Sequence, residues 1–166
     1  MGMGDADLAV VSARVADAPA IIRLIGRVFA EYGFVFEAAT EVPDLLAFAS
    51  HYGGSRGAFF VVRRGGDIAG SVGVERVASD TAELHRLYLD AALRGQGLGR
   101  ALVEAVLGWC RAEGIRHLVL WSDTRFDRAH ALYARMGFLR TGERDIPGDA
   151  NQSREYRYER PVQPSC

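Results

Sequence analysis

The chain has 166 residues, a formal net charge of −1, 49% hydrophobic residues and 25% charged residues. That balance is too apolar for a disordered chain, gives no global basic field for nucleic acid, and leaves no apolar run approaching the roughly 20 residues of a membrane span. The length suits one domain with a sizeable core, placed at residues 1–160 and followed by a short tail at 161–166.

The first residues, "MGMGDADLAV", lack a basic segment followed by a long apolar stretch, so no signal peptide is expected. Gly2 would suit myristoylation, but Ala6 stands where Ser or Thr is wanted. "LAVVSARV" (Leu8 to Val15) reads as a strand. Asp17 then reads as an N-cap, with Pro19 in the first turn of a helix. Ile21, Leu24, Ile25, Val28, Phe29 and Tyr32 fall on one face of that helix. Past the aromatic, acidic run "YGFVFEAATE", a short helix is expected after Pro43 through Leu45, Leu46, Phe48 and Ala49.

"GAFFVVRRGGDIAGSVGVERV" reads as a hairpin turning at Gly65-Gly66-Asp67, and "AELHRLYLD" (Ala82 to Asp90) as the next strand. A helix over about Gly97 to Glu113 carries Cys110, and "HLVLWSD" is a strand after it. "RAHALYARM" is a helix closed by Gly137. The runs "FLRTGERD" and "SREYRYER" are two last strands around a polar loop with Pro147 and Gly148. Antiparallel hairpins followed by strand–helix–strand–helix–strand imply a mixed α/β or α+β layer fold. The two cysteines, Cys110 and Cys166, lie far apart, and no Cys/His cluster has zinc spacing. A reducing, cytoplasmic setting and no metal are the expectation.

The stretch "RGQGLGRA" sets three glycines, Gly95, Gly97 and Gly99, between Arg94 and Arg100 where a helix must begin. Each glycine forgoes roughly 1 kcal/mol of helix propensity against alanine. A plain turn would need no more explanation, but the chemistry offers one. The first N–H groups of a helix lack intrahelical partners, and bare glycines let an anion approach them while the arginines add charge. Neither named phosphate motif fits: the turn has no lysine for a P-loop. A G-x-G-x-x-G started at Gly95 would end on Arg100, with "DAALR" between strand and turn.

The stretch resembles the acetyl-CoA motif of the GNAT superfamily of acyl-CoA-dependent N-acetyltransferases, Arg/Gln-x-x-Gly-x-Gly/Ala, carried here by Arg94, Gly97 and Gly99. Some thirty residues on, "AHALYARMGF" is similar to the family's second motif through Ala129, Tyr133, Gly137 and Phe138. With the element order, the resemblance spans Leu8 to Arg160. It implies a central, mixed, mostly antiparallel sheet flanked by helices and splayed into a wedge for acetyl-CoA. Leu87, Tyr88 and Leu89 would line the cofactor, and Arg94, Gly95, Gln96, Gly97, Leu98, Gly99 and Arg100 would hold its pyrophosphate. The second motif often has an asparagine seven residues before the tyrosine, where this chain has Phe126, which either packs on the pantetheine or caps the core.

Amine acetylation needs a neutral amine, a polarised thioester and a proton for the departing thiolate. For an amine of pKa about 10.4, deprotonation at pH 7 costs roughly 4.6 kcal/mol. Glu83 and His85 are the candidate bases, since 83, 85, 87 and 89 of a regular strand share one face. Either is also readable as an ordinary strand residue. Tyr133 is the candidate general acid, or only a core aromatic beside Ala129, Leu132 and Met136. By family analogy the Leu89 N–H stabilises the oxyanion.

"EYGFVFEAATE" offers Tyr32, Phe34, Phe36 and Glu37, with Glu41, as an acceptor pocket, and "RDIPGDANQSRE" offers its other side. His51, His117 and His130 read as surface or interface residues. The function implied is acetyl transfer from acetyl-CoA to a primary amine of a small molecule or protein, without nucleic acid or membrane. A homodimer through the terminal hairpin is left open. The alternatives are a non-catalytic acyl-CoA-binding or sensing domain and, against the position of Arg100, a nucleotide-binding oxidoreductase.

Overall fold

The apolar face read in the first helix is the one the fold buries. Ile21, Leu24, Ile25, Val28 and Phe29 of α1 (Ala18–Glu31) are all withdrawn from solvent, while Tyr32 caps the end and stays 37% exposed. The computed structural model describes residues 8–164; Gly2, Ala6 and Cys166 lie outside them. Three one-turn helices follow: α2 (Ala38–Glu41), α3 (Pro43–Leu46) and α4 (Phe48–His51).

The sheet is built from β1 (Val10–Ser12), β2 (Gly57–Arg64), β3 (Asp67–Arg76), β4 (Thr81–Leu89), β5 (His117–Asp123), β6 (Leu139–Asp145) and β7 (Arg154–Pro161). Its seven strands lie in the order β1-β2-β3-β4-β5-β7-β6. Every pairing is antiparallel except that of β4 with β5. β4 and β5 are joined by α5 (Leu98–Ala112), and β5 leads into α6 (Asp127–Arg135). One face of the sheet packs against α5 and α6, through Val72, Val74, Leu84, Val103, Val106, Leu120, Tyr133 and Tyr158. The other packs against α1, α3 and α4, through Ile21, Leu24, Leu45, Phe48, Phe59 and Val61. The α/β layers with a mixed, mostly antiparallel sheet are those expected from the sequence.

Two irregularities in β4 shape the molecule. Its parallel pairing with β5 runs only from Thr81↔His117 to Leu84↔Leu120. Beyond that β4 stays paired to β3 and β5 to β7, so the sheet opens between them. The second is a bulge: Gly73 faces His85 but Ser71 faces Tyr88, and Arg86 takes a positive φ of 58°. One extra residue reverses the alternation of faces. The expectation that 83, 85, 87 and 89 share a face is therefore wrong. Ala82, Leu84, Leu87 and Leu89 pack on the α5 side, whereas Tyr88 joins the α1 core and His85 meets Tyr52 beyond α4.

Other differences are local. The first strand is shorter than Leu8 to Val15, because Asp17 accepts the Arg14 N–H at 2.7 Å and curls the chain into a 3-10 turn over Val15–Asp17. Asp17 does not cap α1 with its side chain; it instead receives both terminal nitrogens of Arg63 at 2.8 Å. At the other end β7 reaches Pro161, and the buried Val162 donates its N–H to Arg116 O at 2.9 Å.

The Arg63 guanidinium holds the buried Asp17 carboxyl down at about 2. A carboxyl depressed in the folded state stabilises above its ordinary pKa near 4, and that contribution fades as pH falls through the folded value. Asp17→Asn is expected to lose about 1–2 kcal/mol at pH 7. Urea unfolding of both proteins from pH 7 down to pH 2 should show the difference in midpoints closing.

Candidate active site

The chain leaves β4 through a 3-10 turn at Ala91–Leu93 and passes Gly95 and Gly97, both at φ 82°, before α5 begins. A Cβ at either glycine would meet nothing within 4 Å, so the left-handed backbone, not crowding, calls for glycine there. Gly99 differs: a Cβ would stand 3.2 Å from Leu132 Cδ2, and its absence sets how closely α6 approaches. The first helical bond at this end is Ala101 N–H to Gly97 O at 3.1 Å. The N–H groups of Leu98, Gly99 and Arg100 precede it and lack helical acceptors at the positive end of the dipole.

Of these residues, Gly99 and Arg100 line a cleft of 490 Å³. Its walls are Val28 of α1 and Tyr32 just past it, Leu87, Tyr88 and Leu89 of β4, then Arg94, Gly95, Gly97, Gly99 and Arg100, with Phe126, Ala129 and Leu132 opposite. Gln96 and Leu98 are not among them: Gln96 Nε2 donates to Ala92 O at 3.3 Å, and Leu98 packs into the core. Arg94 is already occupied. Its Nε and Nη2 donate to Leu89 O at 3.2 and 2.9 Å, and the fork grips Glu31 at 2.6 and 3.0 Å. Arg100 is 63% exposed and only 3.9 Å from Glu104, so it is the loosely held cation of the pair.

A second cavity of 300 Å³ adjoins the first. Leu87, Tyr88, Phe126 and Ala129 line both. It runs through the opening between β4 and β5, so residues from opposite faces of the sheet meet in it. Glu83 and His85 enter from the α1 side of β4, and Tyr133 from α6 on the other. Tyr133 is 4% exposed and packs against Phe138 and Tyr158, with ring centroids at 5.5 Å for each. Its hydroxyl has no partner among the described residues, yet no fully buried side-chain N or O atom there goes unpaired. The hydroxyl therefore opens on the cavity. Burial pushes its pKa well above the usual phenol value. Burial also raises the Glu83 carboxyl, which lacks a partner too, and it lowers His85 to about 4.

The acceptor-side expectations divide. Phe34 lines the second cavity, Tyr32 lines the first and stacks edge-on to Phe126 at 4.9 Å, and exposed Glu37 lines neither. Glu41 does line it, with Asp149 of the loop between β6 and β7. Burial, and after it the Asp149 carboxylate, lift the Glu41 pKa. Arg86 is tied to Asp44, Arg144 to Glu155 and Arg125 to Asp123. Glu41, Glu83 and Asp149 are left without an ion-pair partner among the described residues. The β6–β7 loop is latched over this end by Asn151, whose side chain accepts the Val35 N–H at 2.7 Å and donates to Val35 O at 2.8 Å.

Two of the histidines read as surface or interface residues are bonded within the chain. His130 is half-buried, bonded to Ser122 Oγ at 3.1 Å and packed on Tyr156 and Tyr158. His51 holds Glu75 at 3.0 Å, next to His85. Asp44, Tyr52 and Glu75, which surround His85 and Arg86, had no local signal: they come from α3, the end of α4 and β3. Among the described residues no group of three or more His, Cys, Asp or Glu is disposed to hold a metal, and no helix is long and apolar enough to cross a membrane.

An open parallel step in a mixed sheet, with a glycine turn and helix N-terminus beside it, is the wedge implied by the sequence's resemblance to acyl-CoA-dependent N-acetyltransferases. The family model for the acetyltransferase (GNAT) family matches residues 25–138, and the chain belongs to that family. It is an acetyl-CoA-dependent N-acetyltransferase. The chain is 32% identical over 127 residues to the uncharacterized N-acetyltransferase YjgM of Escherichia coli K12, covering 74% of this chain and 76% of that one. It is 36% identical over 106 residues to N-acetyltransferase 8 of Rattus norvegicus, covering 60% of this chain and 48% of that one, so it spans about half the length of that relative. In fold it matches a GNAT-family acetyltransferase from Staphylococcus aureus Mu50, with a TM-score of 0.82 at 20% identity over 94% of this chain and 99% of the other. The first cavity fits the family's co-substrate: apolar strand and helix residues along its length suit an extended arm, and unpaired amides with Arg100 at one end suit a diphosphate.

Arg94 already has a structural task in the free protein. Arg94→Ala should lower stability by about 1–3 kcal/mol, since it strands the Leu89 carbonyl and Glu31. Urea unfolding without any added ligand measures it.

Proposed function

We propose that this protein moves the acetyl group of acetyl-CoA to a primary amine that enters the second cavity and attacks directly. One observation carries the reading: the two cavities share Leu87, Tyr88, Phe126 and Ala129, so an acyl group at the end of one lies against an amine at the end of the other. Acetyl-CoA, when bound, supplies the acyl group as an activated thioester. The amides of Leu98, Gly99 and Arg100 grip its diphosphate, and the edge of β4 left free past Leu84↔Leu120 pairs with its amide arm along Leu87 to Leu89. The Leu89 N–H faces the charge that develops on the carbonyl oxygen. Phe126 forms the wall between the two chambers.

The acceptor is cationic before reaction. Glu41, Glu83 and Asp149 draw an ammonium group into a cavity where the cationic side chains are already paired. Glu83 and His85 are the two groups placed to take its proton. Tyr133 serves the departing sulfur from the other side. A phenol near 10 already sits about 1.5 units above a thiol near 8.5, and burial of Tyr133 widens that gap. Tyr133 thus acts first as a hydrogen-bond donor to the sulfur and passes the proton only as the carbon–sulfur bond breaks.

A panel of primary amines, assayed by release of free CoA, tests the reading. Tyr133→Phe should lower kcat by about 10²–10⁴ while the Kd for CoA, by calorimetry, stays within a few-fold. An unchanged kcat removes Tyr133 from the chemistry. CoA binding with no release for any amine would favour the non-catalytic domain instead.

A further inference from the structure

His85 sits at the end of a hydrogen-bonded chain whose direction can be worked out. Asp44 is buried, and although burial opposes ionisation, Arg86 at 2.6 Å and the Tyr52 hydroxyl at 2.5 Å hold it below the usual carboxylate range. An ionised carboxylate only accepts, so the proton between Asp44 and Tyr52 belongs to Tyr52. Tyr52 Oη then turns a lone pair toward His85 Nε2, 3.0 Å away. Glu75 Oε1 stands 3.5 Å from the same nitrogen. Facing two acceptors, Nε2 carries the hydrogen of the neutral ring, and the lone pair is on Nδ1.

That lone pair is free. The Cδ2 edge of the ring is turned to Gly73, where a Cβ would approach within 3.2 Å, so Nδ1 lies on the opposite edge. Nδ1 has no partner among the described residues, and no fully buried N or O atom there goes unpaired, so it opens on the cavity His85 lines. At about 3.3 Å per residue, His85 is also roughly 6–7 Å nearer than Glu83 to the junction at Leu87 and Tyr88. The charged and titratable groups around it are Asp44 of α3, His51 of α4, Tyr52 just past it, Glu75 of β3, and Glu83 and Arg86 of β4. Burial and then Arg86 keep the ring neutral until about pH 4, so the lone pair is present throughout the physiological range.

We infer that His85 is the base, receiving the amine proton on Nδ1, and that Tyr52, Asp44 and Glu75 are positioning residues that fix its tautomer and balance the imidazolium. This rests on the reading that the amine enters the second cavity. The ammonium first gives one proton to water in the cavity. Its lone pair then bonds to the acyl carbon as the carbon–sulfur bond breaks with its electron pair on sulfur, and the nitrogen loses its second proton to Nδ1, keeping the pair of that N–H bond. One proton is given to sulfur at Tyr133, so the cycle closes by exchange with water in the shared cavity. His51, 38% exposed and 3.0 Å from Glu75, keeps that carboxylate turned toward the ring.

Long-range proton–nitrogen correlation spectra of protein labelled with ¹⁵N-histidine read the tautomer without any ligand. Wild type should show His85 neutral with hydrogen on Nε2 from pH 8 to pH 5. Tyr52→Phe and Glu75→Gln should each move population toward the Nδ1–H form. An Nδ1–H ring, or an imidazolium at pH 7, in the wild type overturns the inference. With spermidine, tyramine and a peptide bearing a free N-terminus as probes, the fastest acceptor is then used for kinetics. His85→Gln should lower kcat by about 10²–10⁴, and Tyr52→Phe by about tenfold or more with little change in amine KM. If Tyr133→Phe is impaired but Glu83→Gln, rather than His85→Gln, abolishes turnover, the acetyl-transfer reading stands and this one falls.

Discussion

Strand β4 has a parallel neighbour for only four residues, and the rest of the molecule is arranged around the place where that pairing stops. Each half of the sheet keeps its own antiparallel ladder, β4 with β3 and β5 with β7, so neither strand frays. What opens is the space between them, bordered by backbone groups on β4 that no strand satisfies. Such an edge inside a protein demands hydrogen bonds, and an extended ligand with amides of its own meets the demand. The opening also connects the two faces of the sheet, which a complete ladder would seal from each other. It is the reason a side chain on α6 and side chains on the α1 face of β4 line one cavity.

The bulge at Arg86 decides what each face presents there. Without it, Leu87 and Leu89 would follow Glu83 and His85 onto the α1 face. With it, the two leucines turn to the α5 core and line the first cavity, while the polar pair stays toward the second. The conformation is costly for a residue with a side chain, of order 1 kcal/mol. Local bonds offset it: Ser71 Oγ donates to the Arg86 carbonyl at 2.8 Å, and the Arg86 guanidinium is fixed by buried Asp44. The same Asp44 orders Tyr52, so the residue that stabilises the kink also orients the ring of His85. Backbone strain and side-chain chemistry are coupled through one carboxylate.

The parts of this architecture legible in the sequence are those written in local patterns. The face of α1 follows from a period near 3.6, the β2–β3 hairpin from Gly65-Gly66 between apolar runs, and the start of α5 from its glycine run, although the left-handed backbone at Gly95 and Gly97 is seen only in the structure. The Ala129 to Phe138 run placed Tyr133. What escaped is non-local. Nothing in "AELHRLYLD" marks Arg86 as the extra residue, since the bulge depends on β3 and on Asp44, some forty residues earlier in the chain. Asp44, Tyr52, Glu75 and His85 sit on separate elements and become neighbours only when α3 and α4 fold over β3 and β4. Asp17 has an N-cap's position and composition, but an arginine brought over by β2 is a stronger partner than the backbone of α1.

The site is assembled in its uncharged forms. Burial lowers the proton affinity of the His85 ring and raises that of the Tyr133 hydroxyl, so both are neutral when the cavities are empty. In the proposed reaction each would become charged only by reacting, one by gaining a proton and the other by giving one up, and the two stand on opposite faces of the sheet. A direct transfer between them would waste the pair, because it would create both charges with no bond made. The opening between β4 and β5 is where the reacting nitrogen, carbon and sulfur would meet, so that the proton lost on one face is matched by the proton supplied on the other. Behind His85 the carboxylates of Glu75 and Asp44 are already in place to meet the positive charge. Behind Tyr133 stand Phe138 and Tyr158, and among the described residues no cationic side chain bonds its hydroxyl, so in the proposed reaction the hydroxyl would share its proton with the sulfur and regain one quickly. The asymmetry follows from the fold: the α1 face of β4 is closed by short helices rich in polar ends, and the α6 face by an aromatic core.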